Sequence, residues 1–295
     1  MRKDLHHILV YFGYFNYAPS FEEIHTFFPK AITRKKLLDY LQQECKRKKL
    51  VRLPKNKVFG PSEQSIFNFN LRFKFPRYTL PQYSISKQLT TNSKQRDYLD
   101  IRVQIYLFIL KIIPLVRFVG ITGRSAVEGL RMNDDIDLFI IAKGGFIWTT
   151  RFIVVILAKL IGIRGRNGVC LNLFFDESDL TITKMKQNSY IAHEILQVRP
   201  IIDKQNIYHA LIGANRWIFN YFPNAIARVV NNDRCSLQKK FTYHLQPINY
   251  NLDMLFKLLQ LPIIKKNKTG FRITDGQLWL FKRDFEKELK KNSLG

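Results

Sequence analysis

The beginning of the chain has apolar residues at helical spacing. Over about residues 4–15, Leu5, Ile8, Leu9 and Phe12 recur at intervals of three and four. This spacing places all four on one side of a helix, because side chains three and four residues apart share a face. The pattern predicts a first helix with one buried side.

Two further helices are indicated by their capping residues. Ser20 and Glu23 have the spacing of a capping box, which predicts that a second helix begins after Ser20 and ends before Pro29. Thr33 is a suitable N-cap for a third helix, which is expected to reach about residue 48. Its predicted buried stripe consists of Leu37, Leu38 and Leu41.

A short ribbon follows the three helices. The apolar segments 50–53 and 58–60 flank a Pro-Lys-Asn-Lys turn, which predicts two antiparallel strands. Three helices and a ribbon resemble a winged helix, in which the third helix would be the recognition helix. Residues 61–95 then interleave aromatic and basic residues before turning polar. This segment is expected to be a strand or extended arm and a linker, and the interleaving also suits base stacking.

From residue 96 the pattern changes to apolar strands that alternate with amphipathic helices. The predicted strands lie at 116–122, 136–142, 168–176 and 198–203. The predicted helices lie at about 97–112, 125–130, 148–162, 187–197 and 205–221. The first three of these strands are expected to share one mixed sheet. The sequence therefore predicts an α+β fold, a small mixed sheet flanked by helices.

These changes in pattern divide the chain into four parts. We expect a winged-helix-like domain at 1–75, a linker or arm at 76–95, a central domain at 96–223 and a basic, mostly helical region at 224–295. Within the last part, the segments 264–272 and 282–291 are interpreted as solvated charge runs.

The charge of the chain narrows its expected partners. There are 48 Lys and Arg against 23 Asp and Glu, a formal net charge of +25. Such an imbalance attracts polyanions, although a generally solvated basic surface gives the same number. Between residues 30 and 57 there are eleven basic and two acidic residues. DNA or RNA contacts are therefore expected at Lys35, Lys36, Arg47 and Lys57, with protein contacts as the alternative.

The cysteines and the apolar runs indicate in which part of the cell the protein is expected. Cys45, Cys170 and Cys235 fit neither a disulfide framework nor a metal-ligand spacing, which is typical of a reducing environment. The most apolar runs, 105–116 and 152–163, are too short to span a bilayer, and each contains a Lys. A peripheral membrane protein that uses the net charge of +25 would need an amphipathic anchor, and no single helix is a convincing one. We therefore expect a cytoplasmic protein with no membrane partner.

The candidate chemistry lies in one stretch, ITGRSAVEGLRMNDDIDLFII at 121–141. Asp135 and Asp137 are two residues apart at the start of a predicted strand, so their side chains share a face. Two adjacent carboxylates repel unless one is protonated or a cation lies between them. Mg²⁺ is the fitting cation, because it takes oxygen ligands and is commonly shared with substrate phosphates.

A glycine turn precedes these carboxylates. The first strand ends at Gly123, where backbone N–H groups can approach the β and γ phosphates of a nucleotide. Arg124 or Ser125 would contribute to the same phosphate contacts. The short helix that begins here adds a positive dipole end.

A hydrophobic-Gly turn, a spacer and Asp-hydrophobic-Asp resemble the signature of the nucleotidyltransferase (polymerase-β-like) superfamily. The chain is most similar to bacterial stand-alone nucleotidyltransferase-domain proteins with a winged-helix-like segment. Further similar segments are WTTRF (148–152), CLNLFFDES (170–178), AHEILQVRPIID (192–203) and ANRW (214–217). The resemblance implies a nucleotidyltransferase fold and transfer of a nucleotidyl group from an NTP to a hydroxyl of a nucleic acid, protein or small molecule. It also implies that Asp135 and Asp137 are the catalytic residues and the Mg²⁺ ligands.

Two positions depart from the superfamily pattern. Arg124 stands where Gly or Ser is usual, and Asn172 stands where a third acid is expected. Asp176 or Glu177 are candidates to replace that acid. The departures leave a second hypothesis open, a nucleic-acid-binding regulator whose nucleotidyltransferase domain senses nucleotide or is inactive. His193 and Glu194 are interpreted as a pair on a helix surface.

Overall fold

The structure is a computed structural model that describes residues 1–14, 17–53, 77–81, 100–128, 135–165, 168–226, 250–267 and 270–281. Its elements, in chain order, begin with α1 (Arg2–Tyr14), α2 (Phe21–Thr26), α3 (Arg34–Lys46), β1 (Val51–Leu53) and β2 (Arg77–Thr79). They continue with α4 (Ile101–Ile112), β3 (Val116–Ile121), α5 (Gly123–Glu128), β4 (Ile136–Ala142), α6 (Ile147–Leu160) and β5 (Val169–Asp176). The last are α7 (Ser189–Gln197), β6 (Arg199–Asp203), α8 (Ile207–Ala214), α9 (Ile218–Tyr221), α10 (Tyr250–Asn267), β7 (Gly270–Ile273) and β8 (Gln277–Phe281).

The caps of the N-terminal helices are those that the sequence predicts. The Ser20 hydroxyl accepts from the Glu23 amide, and the Glu23 carboxylate accepts from the Ser20 amide, which completes the capping box of α2. The Thr33 hydroxyl accepts from the Lys36 amide and so caps α3, without a reciprocal bond. The predicted buried stripe of α3 is wrong at one position, because Leu38 is 38% exposed. Leu38 follows Leu37 by one residue and therefore points about 100° away from it around the helix.

The strand that follows α3 pairs with a segment that the sequence interpretation assigned to the linker or arm. β1 pairs antiparallel with β2, so that Val51 lies opposite Thr79 and Leu53 opposite Arg77. The predicted partner, 58–60, lies outside the described residues. The described ribbon therefore joins two segments that are about 25 residues apart in the chain.

The predicted central sheet is confirmed and is larger than expected. Its strand order is β6-β3-β4-β5-β8-β7. β3 pairs antiparallel with β4, and β4 pairs parallel with β5, so the sheet is mixed. The α+β class and the sharing of one sheet by the strands near 116–122, 136–142 and 169–175 are thus confirmed.

The predicted long helix over 205–221 is wrong, because α8 and α9 are separated at Asn215. The side chain of Asn215 is fully buried. Its amide group donates to the carbonyl oxygens of Leu180 and Leu211, at 2.7 and 2.8 Å, and its oxygen accepts from the Ile182 amide at 2.9 Å. These bonds satisfy the backbone of a loop that lies against the helix, and they favour a break at this residue.

The C-terminal part contains a helix, as predicted, and also two strands that the sequence interpretation missed. β7 and β8 form a hairpin, and β8 pairs antiparallel with β5. The interpretation of 264–272 as a solvated charge run is wrong for its last residues, because Phe271 packs against the core.

Helices cover both faces of the sheet. On β4, Phe139 and Ile141 face a core shared with α1–α3, α7 and α8. The alternate residues Leu138 and Ile140 face a second core shared with α4, α6 and α10. Among the described helices, none has both the length and the hydropathy to cross a bilayer.

Candidate functional site

Gly123 and Asp137 lie in direct contact at the end of β3. The amide of Thr122 donates to the Asp137 carbonyl oxygen at 2.9 Å, which continues the pairing of β3 with β4. Gly123 has φ +62°, and a Cβ placed on it would lie 2.9 Å from Asp137 Oδ2. Only glycine fits here, because a side chain would meet both a strained backbone and the carboxylate. The turn and the carboxylate therefore form one compact unit.

The predicted site residues of this stretch lie together. Asp135 directly precedes β4 and Asp137 is its second residue, and both are half-buried. The Ser125 hydroxyl donates to the Asp135 carbonyl oxygen at 3.2 Å, so this side chain ties α5 to the start of β4. Arg124 belongs to α5, and its side chain lies outside the described part of the structure. We refer to Gly123, Ser125, Asp135 and Asp137 as the candidate site.

Asn172 lies beside Asp137, where the resemblance implies a third acid. Its side-chain nitrogen is 3.4 Å from Asp137 Oδ1 and 2.8 Å from Cys170 Sγ. The parallel pairing of β4 with β5 produces this contact, because Asp137 lies opposite Cys170. The neighbouring strand thus contributes an amide to the candidate site.

Asp176 and Glu177 lie too far away to replace the missing acid. Asp176 pairs with Ala142 at the other end of β4, about 16–20 Å along the strands from Asp137. Its carboxylate accepts from the Gly145 and Ser178 amides, and Glu177 accepts from the Gly144 amide and pairs with Arg117. Both acids therefore hold the turn before α6. The prediction that either one could serve at the candidate site is wrong.

A third carboxyl comes instead from a helix. Glu194 of α7 accepts a hydrogen bond from the Tyr11 hydroxyl at 3.2 Å. The pKa of Glu194 is raised to about 7, mainly by burial and also by the negative charge of Asp137, while hydrogen bonds from Tyr11 and the Gly123 amide act in the opposite direction. The interpretation of Glu194 as a surface residue is wrong. A signal was available, since Ile191, Glu194, Ile195 and Val198 have the spacing of one buried helical face.

His193 is a core residue and was also assigned wrongly to the surface. Its ring stacks on Phe27 with centroids 3.6 Å apart and planes 9° apart, and the ring of Tyr11 lies 3.9 Å away. Burial lowers the pKa of His193 to about 3, so the imidazole is neutral at physiological pH. His193 therefore joins α7 to the N-terminal helices by packing.

The donor set of the candidate site fits a hard cation. Asp135, directly before β4, and Asp137, its second residue, supply carboxylate oxygens, which are the ligands that Mg²⁺ prefers. The influence of Asp137 on Glu194 indicates that negative charge is concentrated in an enclosed place. Within the described ranges, no group of three or more His, Cys, Asp or Glu side chains is arranged to hold a metal ion. The candidate metal position is therefore a pair of carboxylates.

The predicted nucleic-acid contacts on α3 are exposed. Lys35 and Lys36 lie in its first turn, and Arg47 at its end pairs with Glu44 at 3.1 Å. Lys57 lies outside the described residues. Lys35, Lys36 and Arg47 are exposed to solvent.

Comparison with known proteins adds no relative. No family model matches the chain, and no curated protein or solved structure matches it either. The resemblance to the nucleotidyltransferase superfamily therefore stays a prediction that depends on the residues of the candidate site.

Proposed function

We propose that the central part of the chain has a nucleotidyltransferase fold and transfers a nucleotidyl group from an NTP to a hydroxyl acceptor with Mg²⁺. Asp135 and Asp137 would hold the metal ion. Gly123, with Arg124 or Ser125, would contact the β and γ phosphates. The three scattered cysteines favour a cytoplasmic setting for this reaction.

The observation that carries the proposal is the contact between Gly123 and Asp137. A metal ion shared between a carboxylate and a nucleotide requires the phosphates to lie within a few ångströms of that carboxylate. Gly123 leaves this space open, because the place of a Cβ is 2.9 Å from Asp137 Oδ2. A turn without a side chain, next to a pair of carboxylates, suits this requirement.

The chain's own residues would supply binding and charge compensation. Bound Mg²⁺ would neutralise charge on the phosphoryl group and on the leaving pyrophosphate. The carboxyl of Glu194, with a pKa of about 7, is matched to accept a proton from the attacking hydroxyl near neutral pH. Glu194 would thus take the role that the missing acid on β5 has in the superfamily.

Release of pyrophosphate tests the proposal. The full chain should release pyrophosphate from at least one NTP in the presence of Mg²⁺, and Asp135→Asn and Asp137→Asn should each abolish the release. Asp39→Asn, on the exposed side of α3, is the matched control and should leave the rate unchanged. Equal rates in the wild type and in both site variants would exclude this reaction.

A specific observation favours the second candidate, a nucleic-acid-binding regulator. The Asn172 amide lies 3.4 Å from Asp137 Oδ1, so it donates to an oxygen that a metal ion would also use. A neutral residue at this position also cannot accept a proton. Both effects suit a domain that binds nucleotide without turning it over.

Nucleic-acid binding by the first part of the chain tests this candidate. If 1–75 is a winged helix, Lys35, Lys36 and Arg47 on and after its third helix would contact phosphates. We expect Lys35→Gln/Lys36→Gln to weaken the affinity for duplexes of every sequence by a similar factor. The number of counterions released on binding, measured from the salt dependence, should fall by about two. Lys265→Gln/Lys266→Gln, on α10 across the sheet from α3, is the control. Unchanged binding in the α3 variant would assign that helix to protein contacts.

A further inference from the structure

The three helices on the second face of the sheet expose many apolar side chains. On α4, Ile101, Ile105, Phe108 and Ile112 are exposed, at intervals of four, three and four residues. They therefore form one stripe along the helix, opposite the buried Val103 and Leu110 sides. Phe108 is 48% exposed and Ile112 is 65% exposed.

α10 differs from an ordinary surface helix, although Ile264 on its inner side is buried in the core. It exposes six large apolar residues, among them Leu255, Leu258 and Ile263, and it buries the polar residues Asp253 and Gln260. Polar residues normally face water and apolar residues face the core. Six exposed apolar residues on one helix suit an apolar neighbour on its outer side.

Hydrogen bonds fix α10 in this orientation. The Asp253 carboxylate accepts from the amides of Trp148 and Thr149 at 3.3 and 2.7 Å, which caps the beginning of α6. The Gln260 side chain donates to the Trp148 carbonyl oxygen at 2.9 Å and accepts from Arg151. Rotation of α10 to bury its leucines would leave these buried polar groups without partners, at about 1–3 kcal/mol each.

α6 connects the two apolar helices into one surface. It packs against both α4 and α10, and Phe152 stacks on Phe256 with centroids 4.4 Å apart. Its own exposed residues include Leu160, which is 78% exposed. The exposed apolar side chains of α4, α6 and α10 therefore form a broad surface of three adjacent helices, which we call the outer face.

Charge distinguishes the kinds of partner that fit the outer face. In α4, α6 and α10 the acidic residue is Asp253, which is buried, whereas Lys111, Lys159, Lys265 and Lys266 are exposed. Next to the helices, Asp100 pairs with Arg102 and Asp275 pairs with Lys257. A second copy of this chain also has a net charge of +25 and would place the same lysines against this surface, which opposes self-association. Nucleic acid offers negative charge but no apolar layer.

We propose that the outer face binds the surface of an anionic lipid bilayer. Apolar side chains of α4 and α10 enter the boundary between headgroups and acyl chains, while the flanking lysines contact the anionic headgroups. The sequence-based expectation of no membrane partner considered spanning segments and single helices. The outer face differs from both, because it is assembled from three helices that are distant in the chain.

The orientation of the candidate site agrees with this placement. Asp137 alternates with Leu138 and Ile140 on β4, so it belongs to the opposite side of the sheet from α4, α6 and α10. Asp137 then lies on the side of the sheet away from the lipid when the outer face is bound. The membrane proposal does not depend on the proposed activity.

Co-sedimentation of the full chain with vesicles tests the proposal. Binding is expected to vesicles of phosphatidylcholine mixed with phosphatidylglycerol, and to be much weaker with phosphatidylcholine alone. Phe108→Asn and Leu258→Asn remove apolar surface without a change in charge, and each should weaken binding about tenfold. Leu38→Asn is the matched control, because Leu38 is an exposed leucine on α3, away from the outer face. It should bind as the wild type does.

A second pair of variants separates the outer face from general charge attraction. Lys265→Gln/Lys266→Gln should weaken binding to anionic vesicles more than Lys35→Gln/Lys36→Gln, which removes the same charge from α3.

Sedimentation velocity of each protein, without lipid, measures self-association. Wild-type binding by the Phe108 and Leu258 variants would overturn the proposal. So would a concentration-dependent dimer that these two variants abolish, since the occupant would then be a second copy. A monomer that binds neither kind of vesicle would overturn it as well.

Discussion

The hydroxyl of Tyr11 donates a hydrogen bond to Glu194 Oε1 at 3.2 Å, across 183 residues of sequence. Tyr11 lies on α1, and Glu194 lies on α7 beside Asp137 and Gly123. The first helix of the chain is therefore in direct contact with a residue that reaches the candidate site. A ligand that moves α1 would change the surroundings of Glu194 as well.

Replacement of Glu194 by Gln should change the pH dependence of stability. The folded-state pKa is about 7, above the ordinary value of 4.5, so the folded protein binds the proton more tightly than the unfolded chain. The stabilisation of the folded state by protonation of Glu194 is complete below about pH 4.5 and is lost as the pH rises to about 7. At about pH 8 the free energy of unfolding of Glu194→Gln should therefore exceed that of the wild type by on the order of 2–3 kcal/mol. Denaturant unfolding across this range measures it.

A control for this variant is Glu22→Gln, which removes a carboxylate paired with Arg34 at the surface. The control should leave the slope of stability against pH unchanged between about pH 4.5 and 7. An unchanged slope in Glu194→Gln itself would contradict the enclosed position of that carboxyl.

His193 should affect stability in the opposite direction. Its folded-state pKa is about 3, below the ordinary value of 6.5, so protonation favours the unfolded chain. The contribution of neutral His193 to the stability of the folded protein is present above about pH 6.5 and is lost as the pH falls towards 3. His193→Phe keeps an aromatic ring against Phe27 and cannot be protonated. At about pH 4 it should be more stable than the wild type by roughly 3 kcal/mol, relative to their difference at about pH 7. Parallel acid unfolding curves for the two proteins would refute this expectation.

Asn172→Asp should increase the response to Mg²⁺. The new carboxylate would lie beside Asp137, where the amide nitrogen is now 3.4 Å from Oδ1. Without metal, repulsion should lower the stability by about 1–2 kcal/mol. With Mg²⁺ and ATP, the increase in Tm should exceed that of the wild type, because the ligand binds only the folded protein. Differential scanning fluorimetry measures both effects, and Asp137→Asn in the same background should remove the gain. A Tm of Asn172→Asp that does not respond to Mg²⁺ would place residue 172 outside the metal site.

Gly123→Ala separates backbone strain from the close approach to Asp137. Gly123 and Gly145 both have positive φ, +62° and +77°, but a Cβ on Gly145 would meet nothing within 4 Å. Gly145→Ala should therefore lose about 1 kcal/mol through the backbone alone. Gly123→Ala should lose about 2–3 kcal/mol, because the methyl group also presses on the Asp137 carboxylate. Equal losses in denaturant unfolding would show that the turn has room beside Asp137.

The central elements could be predicted because their patterns are local. Strands β3, β4 and β5 are continuous apolar runs that are bounded by turns. Helix α4 precedes β3, and helix α6 lies between β4 and β5, each joined by a short connection. β7 and β8 have four and five residues and adjoin Lys-rich segments, so their short patterns resemble charged loops. Their strand character depends on the free edge of β5. The break at Asn215 depends in the same way on a distant loop.

The candidate site could be predicted only as far as it lies in one stretch of sequence. The relation of Gly123 to Asp137 follows from adjacent strands, and Asn172 follows from the next strand. Glu194 reaches the site because α7 packs on the sheet and α1 packs on α7. Asp176 and Glu177 were misplaced since the direction of β5 carries them away from Asp137. These positions depend on tertiary packing, which a local sequence pattern does not predict.

The pairing of β8 with β5 has a consequence during synthesis. β8 lies about 100 residues after β5, so β5 emerges from the ribosome long before its partner. At ~5–20 residues per second, the free edge of β5 is without that partner for roughly 5–20 s. An open strand edge is a template for pairing with other chains. Translation speed and the presence of chaperones on nascent chains should therefore influence how much of this protein is recovered in monomeric form.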